Sequence, residues 1–310
     1  MATTTIEKAA LLPMVDACAL IAQNSEKQKG LRGKIRLTLA GGVITMVAFD
    51  MTTYVMKFAP VVDGTDEFDV CISAKRLKAV VAKCGDKITL SAQAKADDRS
   101  EAEITDGTGA CGALIVESGA KFTIAYTPGS EYPEFPKESD APGVVIDAEA
   151  LKFLIERTRY AMATEPGRYA ISGLKLVAKD GRVEAVATNG KILCLAKRPC
   201  EGELDALVPP CALGSILAMC EEGGGVRLLR VENRLYAGNG STSMISSVLD
   251  GEFPDYERVI PKDGNTHITV NSKAILSGIE AVGIIKGDGE NVGLFDMDVS
   301  GREKLGLSAS

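Results

Sequence analysis

Apolar residues recur at i, i+3, i+4 and i+7 in five separated segments of this 310-residue chain. The quartets are Leu11/Met14/Val15/Cys18, Leu77/Val80/Val81/Cys84, Leu151/Leu154/Ile155/Thr158, Leu213/Ile216/Leu217/Cys220 and Ile275/Gly278/Ile279/Val282. This spacing places each quartet on one side of a helix, so five amphipathic helices with buried faces are expected. Short alternating runs lie between them and read as strands. KIRLTLA and VITMVAFD flank Gly41-Gly42, ISGLKLVA and RVEAVATN flank Lys179-Asp180-Gly181, and VGLFDMDV and KLGLSAS flank Ser300-Gly301. Each of these predicts a hairpin following the first, third or fifth helix.

The punctuation repeats as well. Ser73 and Pro209-Pro210 are start signals for the second and fourth helices, and Gly85 and Gly223 follow their ends. Glu134-Phe135-Pro136 recurs as Glu252-Phe253-Pro254, each time leading into a polar Pro/Lys/Asp stretch. The period is too long for a solenoid and suits duplicated domains. The expected boundaries are residues 1–138, 139–262 and 263–310, the last being the first half of a third repeat. Symmetry would place a sixth helix within roughly 60 further residues. The fold class is α+β, with two helices per repeat covering one side of antiparallel sheets.

Composition narrows the chemistry. Hydrophobic residues make up 45% of the chain, enough for several cores, and no apolar run approaches the roughly 20 residues of a membrane span. The N-terminus lacks a secretion signal, so a cytoplasmic location is expected. The eight cysteines show no C-x-x-C and sit mostly in apolar runs, which favours buried free thiols over metal ligands or disulfides. A single histidine, His267, removes most metal-site and Ser-His-Asp arrangements. Asp66-Glu67-Phe68-Asp69 and Asp296-Met297-Asp298 lack cation-loop spacing, and Gly223-Gly224-Gly225 follows a helix instead of opening one. No catalytic residue, metal or cofactor is predicted. The net charge of −7 argues against an ordinary basic DNA-binding domain, although an acidic protein can carry a basic inner surface.

Three tandem domains, together with RYAISGLKL, VATNGKILCLA and SSVLDGEFPDYERVIPK, resemble the bacterial DNA polymerase III β sliding clamps. The most specific stretch is Asp250 to Pro261, followed by the R-Y-x-x-x-G and A-T-x-G-x-x-L elements between Arg168 and Leu193. A-F-D-M near residue 50, ISAKRLKAVV, YPEFP and Pro13 inside the first helix fall in the matching order. The resemblance implies the DNA-clamp fold. It implies a non-enzymatic, head-to-tail homodimeric ring around double-stranded DNA, held without sequence readout. It also implies tethering of the DNA polymerase III alpha subunit and the clamp loader through short linear motifs. The alternative class is a shortened, monomeric protein-interaction scaffold that does not encircle DNA.

Site residues follow from the same resemblance. Facing DNA would be Lys27, Lys29 and Arg32 after the first helix, Lys75, Arg76, Lys78 and Lys83 on the second, and Lys152, Arg157 and Arg159 on the third. Arg168, Tyr169 and Lys273 complete that set. From charge alone these read as solvated faces; the resemblance reverses that for the group, and the fourth helix has no basic residue. A partner-peptide pocket would use Ile171, Thr188, Gly190, Lys191, Leu193, Pro254, Arg258 and Val259. Lys191-Ile192 replaces a His-Arg pair common in the family, which predicts weaker or altered peptide binding. Thr188 and Gly190 read equally as turn-formers. Ring closure would pair Phe122 and Ile124 with Ile284 and Ile285 of a second subunit, against a reading of Phe122 and Ile124 as ordinary core.

Overall fold

Two repeats of one element order make up most of the chain. The computed structural model describes residues 2–23, 33–64, 66–94, 111–137, 139, 141–164, 169–261, 269–283, 295–298 and 306–309. The first repeat runs β1 (Ala2–Glu7), α1 (Lys8–Gln23), β2 (Lys34–Ala40), β3 (Val43–Phe49), β4 (Thr53–Pro60) and β5 (Phe68–Ser73). It continues through α2 (Ala74–Lys83), β6 (Lys87–Ala94), β7 (Gly112–Ser118) and β8 (Ala120–Pro128). The second runs β9 (Val144–Asp147), α3 (Ala148–Thr158), β10 (Leu174–Lys179), β11 (Arg182–Thr188), β12 (Leu193–Pro199) and β13 (Leu204–Val208). Then come α4 (Pro210–Glu221), β14 (Gly225–Val231), β15 (Arg234–Gly238) and β16 (Thr242–Ser247). Both repeats fall in one compact unit, residues 1–254; residues 255–310 form a second.

Local chemistry accounts for these elements. Ser73 caps α2, its Oγ accepting from Arg76 N at 3.4 Å, and Asp147 caps α3, accepting from Ala150 N at 3.0 Å. Pro210 occupies the first turn of α4, where its missing N–H costs nothing. Gly223 adopts φ 79° just past that helix and its N–H closes on Cys220 O at 3.1 Å, so a left-handed residue ends α4. Gly41-Gly42 and Asp180-Gly181 both have positive φ at each central position, the backbone that joins tightly twisted strands.

The quartets of the first four helices face inward. Leu11, Met14, Val15, Cys18, Leu77, Val81, Leu151, Leu154, Ile155, Thr158, Leu213, Ile216 and Cys220 are buried, while Val80 and Leu217 pack from the edge. Strand alternation meets them, with Ile35, Leu37 and Leu39 of β2 turned to the same core. All strand pairs are antiparallel, and one 12-stranded sheet runs β1-β6-β7-β8-β5-β2-β3-β4-β16-β15-β14-β9. The β4–β16 ladder, with Lys57 opposite Thr242 and Thr53 opposite Ser246, makes this sheet continuous from the first repeat into the second. A second sheet has order β12-β11-β10-β13.

The second unit contains α5 (Ser272–Gly283), β17 (Phe295–Asp298) and β18 (Gly306–Ala309), with Phe295 opposite Ala309. Its helix departs from expectation. Ile275 and Gly278 are only half-buried and Ile279 is exposed, because an apolar stripe is buried only where another layer covers it. The side chain of Val282, the turn at Ser300-Gly301 and His267 lie outside the described residues.

Candidate functional site

The four helices of the first unit form one layer. Helix α2 packs on α1, α1 on α4, and α4 on α3. The middle contact is close because α4 carries Gly214, where a Cβ would stand 3.0 Å from Leu20 Cδ2 of α1. With the apolar stripes turned to the sheets, the outward faces of the four helices share the opposite side, charged on α2 and α3 and apolar on α4, where Cys211, Gly214, Leu217 and Ala218 are half-buried.

Most of the described cations expected to face DNA are on this side. On α2, Lys75, Arg76 and Lys83 are exposed, and Lys78 pairs with Asp16 of α1 at 2.9 Å. On α3, Lys152 pairs with Glu221 of α4 at 2.7 Å, while Arg157 and Arg159 are exposed. Lys78 and Lys152 therefore also tie neighbouring helices together, although pairs this open to solvent are strongly screened. Lys273 is exposed on α5 in the second unit. Lys27, Lys29, Arg32 and Arg168 lie outside the described residues, and Tyr169 opens a short 3-10 turn, Tyr169–Ile171.

One basic residue escaped the sequence reading. Arg198 of β12 lies with its Cζ 3.5 Å from the centroid of the Phe153 ring on α3, and Arg157 Cζ is 5.4 Å from the same ring. The available signal was strand parity, since Arg198 shares a face of β12 with Ala196, which is buried toward the helix.

Four of the expected pocket residues, Thr188, Gly190, Lys191 and Leu193, belong to or adjoin one turn. Thr188 Oγ1 donates to Ile192 O at 2.7 Å and accepts from Gly190 N at 3.1 Å. Asn189 Oδ1 accepts from Lys191 N and Ile192 N at 2.9 and 3.0 Å, and Gly190 has φ 87°. Thr188 and Gly190 thus do shape the turn, and the turn displays Lys191 and Ile192 to solvent with Leu193 half-buried beside them. Ile171, half-buried, is held by its carbonyl accepting from Ala163 N at 3.0 Å. Pro254 is exposed at the end of the first unit. Arg258, paired with Asp255 at 2.8 Å, and Val259, 68% exposed, belong to the second unit.

The residues expected at the subunit boundary divide. Ile124 is 2% exposed, stands opposite Leu114 in the β7–β8 ladder and belongs to the main buried cluster, so its shared face with Phe122 is the core face. Phe122 is half-buried at the margin of that core. Ile284 and Ile285 lie outside the described residues. The backbone of β8 supplies another feature. Its ladder with β5 covers only Tyr126 to Pro128, so among the described residues 120–125 keep a free sheet edge.

Asp69 and the thiols are absorbed by structure. Asp69 accepts from Arg36 Nε and Nη2 at 2.8 and 2.7 Å and from Thr38 Oγ1 at 3.1 Å, a bidentate arrangement that occupies its carboxylate. All eight cysteines are free. Burial pushes the Cys18 thiol up to about 12 and those of Cys71 and Cys220 to about 11. Among the described residues no helix is long and apolar enough to cross a membrane.

Residues 145–255 match the family described as DNA polymerase III beta subunit, central domain. The beta sliding clamp of Pseudomonas aeruginosa is 22% identical over 290 residues, covering 92% of this chain and 75% of its own length. That of Caulobacter vibrioides is 26% identical over 298 residues with the same coverage. Among solved structures, the DNA polymerase sliding clamp of Bacillus subtilis superposes with a TM-score of 0.82 at 19% identity, covering 99% of this chain and 83% of that one. The C. crescentus beta sliding clamp gives 0.82 at 24% identity, with the same coverage. The fold is that of these clamps.

Proposed function

We propose that this chain, which groups with the bacterial beta sliding clamps in sequence and fold, acts as a DNA sliding clamp: a processivity factor that encircles duplex DNA and performs no chemistry. The observation that carries this reading is the unbroken layer α2-α1-α4-α3, backed by a sheet continuous through the β4–β16 ladder. A tethering surface must attract phosphates weakly and without regard to sequence. Exposed Lys75, Arg76, Lys83, Arg157 and Arg159 on rigid helices provide that, within a chain whose overall charge is negative. The overall negative charge discourages DNA from binding elsewhere on the molecule.

The free edge of β8, with Phe122 at its margin, is the surface we assign to pairing with a second subunit. Main-chain addition to an open edge supplies hydrogen bonds, and a half-buried aromatic supplies the apolar anchor. The Thr188–Ile192 turn with Ile171 and Pro254 is assigned to a partner's short linear motif, the DNA polymerase III alpha subunit and the clamp loader being the partners expected in the cytoplasm. Exposed Ile192 favours an apolar side chain in that motif.

The test is topological. Protein loaded on closed circular duplex should be retained through gel filtration, and linearising the DNA should release it. Equal retention on both forms would show simple charge attraction and overturn the encircling role. Native mass spectrometry should show a dimer at micromolar concentration; a monomer throughout would leave only the scaffold.

A further inference from the structure

Two guanidinium groups share one aromatic ring at the edge of the helix layer. Arg198 Cζ stands 3.5 Å from the Phe153 ring centroid and Arg157 Cζ 5.4 Å from it. Each cation is attracted to the ring's π-face. Among the described residues neither guanidinium has a carboxylate partner. The nearby Glu184 takes Arg182 and Lys197 instead, each at 2.8 Å. Arg198 donates from Nη1 to Lys197 O at 3.0 Å, and among the described residues the rest of its planar fork has no partner. Stacking has fixed that fork before any ligand arrives. A preset planar fork suits an anion with several acceptor oxygens, which a phosphodiester provides.

We propose that Arg198, stacked on Phe153 beside Arg157, grips one backbone phosphate of duplex DNA, extending the cationic surface from α3 onto β12. This rests on the clamp reading. It differs from the lysines of α2 in kind, because the Phe153 platform holds a guanidinium plane in place where a lysine would swing free.

The experiment is equilibrium binding of a labelled 20-base-pair duplex at several salt concentrations, with unaltered protein, Arg198→Gln, Arg198→Lys and Phe153→Leu. Neutralising one phosphate contact lowers the slope of log affinity against log salt by about 0.9, so Arg198→Gln should show that loss and bind several-fold more weakly. Arg198→Lys should restore the slope without restoring the affinity. Phe153→Leu should keep the slope and lose affinity, and matching thermal unfolding curves would place these effects in binding. Inorganic phosphate substituted for chloride at constant ionic strength should not displace the duplex; displacement at millimolar phosphate would assign the pair to a free anion and overturn the proposal. If unaltered protein binds duplex and Arg198→Gln keeps its slope, the proposal fails alone. If unaltered protein binds no duplex at any salt concentration, the phosphate contact is overturned, while the clamp reading is decided separately by retention on closed circular against linear DNA.

Discussion

Lys57 and Glu222 meet across the junction of the two repeats. The Lys57 ammonium, on the inward face of β4 with Val55 and Ala59, donates to the Glu222 carboxylate just past α4 and to Thr242 Oγ1 at 3.0 Å. Glu222 also accepts from Asn239 Nδ2 at 3.0 Å and Ser241 Oγ at 2.6 Å. The Lys57 side chain is 7% exposed, so its charge depends on this partner. Glu222→Ala should therefore destabilise the first unit by about 3 kcal/mol, as removal of one member of a desolvated pair does. Lys57→Met, which removes the buried charge itself, should cost less. A double-mutant cycle from urea denaturation should give a coupling of at least about 1 kcal/mol; additive losses would show that the pair is incidental.

The same pair sets a pH dependence. Burial alone would raise the Glu222 carboxyl, but hydrogen bonds from Lys57, Ser241 and Asn239 outweigh it and hold the group below its ordinary value. A depressed carboxyl contributes stability that is fully present above its unfolded value and lost as pH falls through the folded one. The junction should hold from neutral pH down to the ordinary glutamate range near 4.3 and weaken below it. Unfolding midpoints measured between pH 7 and pH 3 should fall more steeply for the unaltered protein than for Glu222→Gln. Parallel curves would assign the acid sensitivity elsewhere.

What sequence could and could not disclose follows from the range of each interaction. Helix faces and hairpin turns are local: Leu151, Leu154, Ile155 and Thr158 lie within two turns, and Asp180-Gly181 states its own backbone conformation. The β4–β16 junction is not local, because Lys57 and Thr242 are 185 residues apart and nothing near either one names the other. Lys57 reads as a surface lysine until strand parity places it with Val55. Arg198 was hidden for a similar reason, its partner Phe153 belonging to a helix far upstream. Ile279 errs in the opposite direction, since its apolar spacing promised a cover that the described residues do not supply. The basic helices were legible as charge, but their common side came only from the packing of α1 on α4 at Gly214.

Phe122 and Ile124 lie two residues apart and should behave differently. Ile124→Ala opens a cavity among Leu114 and its neighbours and should cost about 3 kcal/mol of stability. Phe122→Ala removes a side chain from the margin and should cost about 1 kcal/mol. Its main effect should be on self-association, seen by sedimentation velocity as a shift from dimer toward monomer at fixed concentration. Unchanged sedimentation for Phe122→Ala would detach this face from subunit pairing.

Thiol reactivity reports on the integrity of both repeats. At pH 8 a thiol raised to about 12 is ionised in about one molecule in ten thousand, and one raised to about 11 in about one in a thousand. Cys18, Cys71 and Cys220 also lie behind packed side chains. Cys194 and Cys211 are half-buried, Cys194 with its Sγ 2.9 Å from Tyr160 Oη and Cys211 with its Sγ 3.6 Å from Thr53 Oγ1, and both are within reach of a reagent. Pulsed alkylation followed by peptide mass mapping should modify Cys194 and Cys211 first in the folded protein and leave Cys18, Cys71 and Cys220 unmodified. Urea should make all of them reactive together within the first unit, because the sheet continuous through β4 and β16 joins the repeats into one cooperative body. Exposure of Cys220 at a lower urea concentration than Cys18 would show that the second repeat opens alone, with the Lys57–Glu222 junction as the place where it parts.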